Sequence, residues 1–93
     1  MHTSEPHYNP KALQKAHERV SRGTQTEDDM ARIISMEHFG WVGCPGGYIK
    51  DQHGRTIAQG WDSITARLRR RGIVTRTPNG MPCIDWDRVA QTN

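Results

Sequence analysis

Long apolar runs are missing from this sequence. No segment approaches the roughly 20 consecutive apolar residues that a bilayer-crossing helix needs. The amino-terminal stretch is polar and charged and does not read as a secretory leader, so a cytoplasmic protein with no membrane role is expected. Aromatic residues are scarce: one phenylalanine, two tyrosines and three tryptophans in 93 residues. The core must therefore be modest, and the tryptophans have to carry much of it. A chain of this length suffices for one small domain but not two, and at this size a second copy or a partner often completes the burial. Cysteine is nearly absent as well. Cys44 and Cys83 make no disulfide framework and are read as reduced thiols. Zinc sites use ligand pairs two to four residues apart, a spacing that His38, Cys44, His53 and Cys83 do not provide, so no metal is expected.

Other chemistry is missing too. The glycine-rich FGWVGCPGG segment contains neither Gly-x-x-x-x-Gly-Lys nor Gly-x-Gly-x-x-Gly, which removes the common phosphate-cradling loops. A nucleophile pair of Cys44 with His38 or His53 would need an orienting third group and an oxyanion site, for which the chain is small. Asp85 and Asp87 flank Trp86 on an expected strand and would share a face there, as solvated carboxylates or partners of nearby arginines. No enzyme activity and no cofactor are expected.

What is present is arginine, and it is unevenly placed. The net charge is +3. Between Gly54 and Arg76 six arginines (Arg55, Arg67, Arg69, Arg70, Arg71 and Arg76) face the single acid Asp62, whereas the segments on either side each carry one net negative charge. One stretch thus holds all the excess, and local clustering says more about an anionic partner than the total does. The alternative is a solvated helix face beside acidic neighbours.

Along the chain, residues 1–8 are polar and expected to be disordered, with His2 and His7 as loose surface histidines. Residues 9–23 form the first expected helix, with Asn9 as cap, Pro10 in the first turn and Gly23 at the exit. Its thin stripe of Leu13, Ala16 and Val20 can dock on the body of the domain or on a second chain as a homodimer. Residues 24–93 form the remaining domain. A capping box, Thr24 with Glu27 or Thr26 with Asp29, opens a core helix whose acidic first turn suits the helix dipole. Its stripe is Met30, Ile33, Ile34 and Glu37 or His38. Phe39, Trp41 and Val42 are expected to fold back from a loop onto the core. Residues 48–59 read as two strands about an Asp-x-x-Gly turn, with a second helix as the alternative. Residues 87–93 read as a fading turn of helix or a tail, in which Val89 packs.

The stretch GWDSITARLRRRGIVTRTPNGMPCIDW, residues 60–86, organises the rest. Asp62 or Ser63 can cap a helix, Trp61, Ile64 and Leu68 fall on one side of it, and Gly72 suits a left-handed exit. Ser63, Ala66, Arg67 and Arg70 face away, Arg69 lies on the far flank, and Arg71 borders the apolar side. A ribbon follows, with an Asn79-Gly80 turn in which both residues take positive φ, loosened by Pro78 and Pro82, and Trp86 returning to the core. Leu68-Arg-Arg-Arg-Gly72-Ile73-Val74-Thr-Arg76, then a turn and a second strand, resembles the recognition helix and wing of winged-helix, helix-turn-helix DNA-binding domains. The likeness covers between a quarter and a third of the chain. It implies a mainly α fold with a small β component (α+β), with N-terminal helices, a basic helix and a C-terminal hairpin. It further implies that Ser63, Ala66, Arg67 and Arg70 enter the major groove, and that Arg76 and the tip around Asn79 approach the backbone or minor groove.

Two functions are expected from these features. In the first, the protein is a transcription regulator on double-stranded DNA, with phosphate contacts from Arg69, Arg71 and Arg76 and base contacts from Arg67 and Arg70. In the second, it is a protein-binding adaptor or inhibitor, for example a viral or mobile-element counter-defence protein, whose basic face meets an acidic or nucleic-acid-handling partner.

Overall fold

Between Gly23 and Glu27 the chain makes the turn that orients everything after it. In the computed structural model, which describes residues 10–91, helix α1 spans Pro10–Arg22 and helix α2 spans Glu27–Ile34. The expected disorder of residues 1–8, with His2 and His7, and the Asn9 cap lie outside the described residues. Helix α1 ends on Gly23 at φ 73°, where Gly23 N–H donates to the Val20 carbonyl and Thr24 N–H to that of Arg19. This pair of bonds closes a helix through a left-handed residue. Of the two capping boxes open in the sequence, Thr26 with Asp29 forms: the Asp29 amide donates to Thr26 Oγ1 (3.1 Å) and the Thr26 amide to Asp29 Oδ2 (2.9 Å).

Helix α2 continues into one π-helical turn, Ser35–Phe39, closed by Gly40 at φ 77°. The wider turn breaks the apolar stripe expected to reach Glu37 or His38. Both are exposed, and Met36 and Phe39 pack against the core instead. The glycine-rich segment that follows is more than a loop. It holds an edge strand β1 (Val42–Gly43), which pairs antiparallel with β2 (Tyr48–Lys50), and β2 pairs with β3 (Thr56–Gln59). The hairpin reading of residues 48–59 is the one realised. Asp51 Oδ1 accepts the amides of His53 and Arg55 (both 2.9 Å), and Gly54 takes φ 82°. The connection from α2 to the next helix is thus a three-stranded meander, and among the described residues it contains no helix beyond the π turn.

Helix α3 (Trp61–Arg70), the hairpin β4 (Val74–Arg76) and β5 (Pro82–Ile84), and helix α4 (Trp86–Gln91) complete an α+β fold. The core draws on every layer: Leu13 and Ala16 from α1, Met30, Ala31, Ile33 and Ile34 from α2, Ile49 from β2, Ile64 and Leu68 from α3, then Ile73, Val74 and Val89. The α1 stripe therefore docks on the chain's own body, so that α1 shares one core with residues 24–91, and of that stripe only Val20 is left exposed. Asp85 and Asp87 do not share a strand. The Asp85 carboxylate accepts the Arg88 amide (3.1 Å) and opens α4, which contains Asp87. Trp86 does not return to the core: it is 56% exposed, and Val89 fills that place.

The joint between α1 and α2 is a two-pronged ion pair. Arg19 Nε and Nη2 donate to the two oxygens of Asp29, each at 2.7 Å, and Asp29 is 1% exposed. Burial alone would push the Asp29 carboxyl upward, but the Arg19 guanidinium and the Thr26 amide and hydroxyl together hold it below the usual carboxylate range. With the folded value below the unfolded one of about 3.9, this contribution is complete above the unfolded value and is lost as pH falls through the folded one. Asp29→Asn is expected to lower stability by about 2 kcal/mol near neutral pH. Urea denaturation should show the gap from wild type narrowing as pH drops below about 4. A gap that stays constant to strong acid would mean that the carboxylate's charge is not the source of the effect.

Candidate nucleic-acid interface

Helix α3 starts without a side-chain cap. Its N-cap is Gly60 at φ 89°, and the Ser63 hydroxyl donates back to the Gln59 carbonyl (3.3 Å). Neither Asp62 nor Ser63 therefore caps the helix, because it begins two residues earlier than a cap at Asp62 would require. Its other end follows the sequence closely. Gly72 takes φ 76°, its amide donates to the Arg69 carbonyl (3.0 Å), and Ile73 N–H donates to the Leu68 carbonyl (2.9 Å). The two bonds make a Schellman closure, with Leu68 and Ile73 both buried in the core as its apolar contact. Ile64, Thr65 and Leu68 are buried, and Trp61 is half-buried with the Arg32 guanidinium 5.4 Å from its ring centroid. Ser63 is exposed and Ala66 half-buried along the outer face.

The expected site arginines separate into two sets. Arg67 is half-buried, and its Nη2 donates to the Ile57 carbonyl on β3 (3.0 Å). On the opposite flank, Arg69 Nε and Nη2 both donate to Glu27 Oε1, at 3.1 and 2.8 Å. Arg76 reaches the same carboxylate, with Nη2 3.2 Å from Glu27 Oε2, and its Nη1 donates to the Gly80 carbonyl (2.6 Å). Arg70 and Arg71 are exposed, and among the described residues neither side chain has a hydrogen-bonding or ionic partner. Five residues of the expected set thus surround one helix end, but three of their guanidinium groups hold the fold together. The two that remain free sit at the carbonyl end of α3, where the helix dipole favours cations.

The β4–β5 hairpin departs from its expected turn. Gly80 takes φ 89°, but among the described residues only glycines have positive φ, so Asn79 does not adopt the left-handed state. Gly80 N–H donates to the Thr77 carbonyl (2.8 Å) and Thr77 N–H to that of Met81 (2.8 Å). Pro78 therefore occupies the second position of a type I turn that ends in a glycine bulge, a geometry that proline favours and a two-residue Asn-Gly turn does not use. The Thr77 hydroxyl donates to Asn79 Oδ1, which turns that side chain back onto its own loop. Pro78, Asn79 and Gly80 remain exposed at the tip.

Sequence reasoning missed the carboxylate that controls the site. The acidic first turn of α2 was read as a complement to its own helix dipole, and nothing in its spacing shows that Glu27 meets residues more than forty positions away. It also missed Arg88, whose guanidinium lies against Gly72 (a Cβ there would be 3.5 Å from Nε), beside the free pair. Cys44 and Cys83 are free thiols, both half-buried. No known protein family matches the chain, and no characterised protein or solved structure shows a significant likeness to it.

Glu27 is 21% exposed and both arginines are 54% exposed, so each pair is partly screened by solvent. A Glu27/Arg69 double-mutant cycle is expected to return a coupling of no more than about 1 kcal/mol. Hydrogen exchange should nevertheless report faster opening of the β4–β5 amides in Glu27→Gln, because this carboxylate links the hairpin to α2. Unchanged exchange there would show that core packing alone holds the hairpin.

Proposed function

We propose that this protein is a small regulator that binds double-stranded DNA through the outer face of α3 and the tip of the wing. The observation that carries the reading is the pair Arg70 and Arg71: two exposed, unpartnered guanidinium groups at the end of a helix whose other arginines are anchored within the fold. Arg70 lies on the same outward face as Ser63 and Ala66, with the reach and fork geometry for a guanine edge, and Arg71 follows as a phosphate contact. Arg67, Arg69 and Arg76 are assigned to holding that face in place rather than to base reading. The wing contributes its exposed Pro78–Gly80 tip. None of the described helices is long and apolar enough to cross a membrane.

Binding of a labelled mixed-sequence duplex, followed by fluorescence anisotropy across a salt series, tests this. Affinity should fall log-linearly with salt, and Arg70→Ala with Arg71→Ala should weaken binding and reduce the slope by about one, the share of the phosphate-contacting Arg71, while circular dichroism stays unchanged. Glu27→Gln should act in the opposite direction, raising affinity by freeing Arg69 and Arg76 for the polyanion. The absence of duplex binding at low salt overturns the proposal and transfers the same two arginines to an acidic protein surface.

A further inference from the structure

Beside the end of α3 lies a groove of about 360 Å³ between the π turn, the β2–β3 turn and Arg71. Its walls include His38, Trp41, His53, Arg55 and Arg71. The acid in this wall, Asp51, is already satisfied. Its Oδ1 accepts two backbone amides and its Oδ2 accepts Arg55 Nε (3.2 Å), and the amides of Arg55 and His53 help hold its carboxyl below the usual range. Arg71 is left as the unpartnered cation of the groove.

A run of rings leads out of the groove: His38, Phe39 and Trp41 line it, and Trp86 lies just beyond the lining. Trp86 meets His38 with centroids 6.0 Å apart and the rings nearly perpendicular, His38 meets Phe39 at 5.5 Å, and Phe39 meets Trp41 at 4.9 Å. The outermost ring, Trp86, is the most exposed large apolar side chain among the described residues. In a chain so poor in aromatics, an indole left in water next to His38, on a wall shared with Arg71, suits a stacking platform better than a core group. A ligand that fits must bring a planar aromatic group to Trp86 and an anion to Arg71, with the Arg88 guanidinium against the neighbouring Gly72. Bases inside a duplex are stacked on one another and cannot reach the indole face, whereas those of a single strand can.

We propose that this groove binds single-stranded nucleic acid, with a base stacked on Trp86 and an adjacent phosphate held by Arg71. The inference rests on the nucleic-acid reading above and adds a second ligand form and an adjoining surface that shares Arg71 with it. The test uses the full chain with a labelled oligo(dT) of about 12 nucleotides, an abasic strand of the same length, and the duplex. Trp86→Ala is expected to weaken oligo(dT) binding about tenfold or more, and Trp86→Phe to restore most of it. The same variant should leave duplex affinity within about twofold, since Trp86 lies off the outer face of α3, and should leave the abasic strand unaffected. Equal affinity of wild type for oligo(dT) and the abasic strand overturns the proposal, and this comparison decides the matter even if Trp86→Ala does not fold. Duplex binding without oligo(dT) binding overturns this inference alone. Oligo(dT) binding without duplex binding supports it and overturns the duplex reading. Loss of both overturns the two together.

Discussion

Three consecutive carboxylates leave the first turn of α2 in three directions, and between them they tie α1, α3 and β4 to it. Asp29 takes the guanidinium of Arg19 on α1, Asp28 accepts the Thr65 hydroxyl on α3 (2.7 Å), and Glu27 receives Arg69 from α3 and Arg76 from β4. Just ahead of them, Gln25 Nε2 donates to the Pro82 carbonyl on β5 (3.1 Å). Successive residues of a helix start point about 100° apart, so a run of short acids there is a hub by geometry. The Thr26 cap fixes the direction of the turn, and the three carboxylates then orient the helices and the β4–β5 hairpin around it. For a chain with so small an apolar core, these polar ties specify which packing is adopted, while the buried aliphatic side chains supply most of the driving force.

The same hub changes the meaning of the basic stretch. Counted along the chain, six arginines between residues 54 and 76 look like an open polyanion footprint. In the fold, Asp51 and Glu27 answer three of them and a backbone carbonyl holds a fourth. Charge that is far apart in sequence is cancelled in space, and what remains is concentrated in Arg70 and Arg71, with Arg88 alongside. A small free set on a rigid support favours positioning over bulk attraction, because the anchored arginines fix the helix that presents the free ones.

Much of the local structure was legible. Gly23 and Gly72 mark helix exits because positive φ at that position favours glycine, and both ends close through the expected left-handed residue. Asp51 and Gly54 mark a hairpin for similar reasons. The misses share a cause: each depended on a choice among short-range alternatives that tertiary contacts decide. Asn79-Gly80 fits two turn types, and Pro78 together with the Arg76 bond to Gly80 selects the longer one. Trp86 alternates correctly for a strand, but Asp85 caps a helix there and Val89 takes the buried place. Periodicity cannot register such competition, since it counts side chains without knowing which partner arrives first.

The π turn at Ser35–Phe39 shows how one such deviation reaches the candidate groove. One additional residue in the turn rotates everything after it, moving His38 from the expected apolar stripe to the surface and placing Phe39 against the core. Without that rotation His38 would not stand between Trp86 and Phe39, and the run of rings along the groove would be broken. The turn keeps Met36 and Phe39 packed on the core, and π turns of this kind are rare within α-helices. Its consequence is an aromatic edge set beside the free arginines. The feature of α2 least readable from the sequence thus lies next to the residues with which the proposed function is most closely connected.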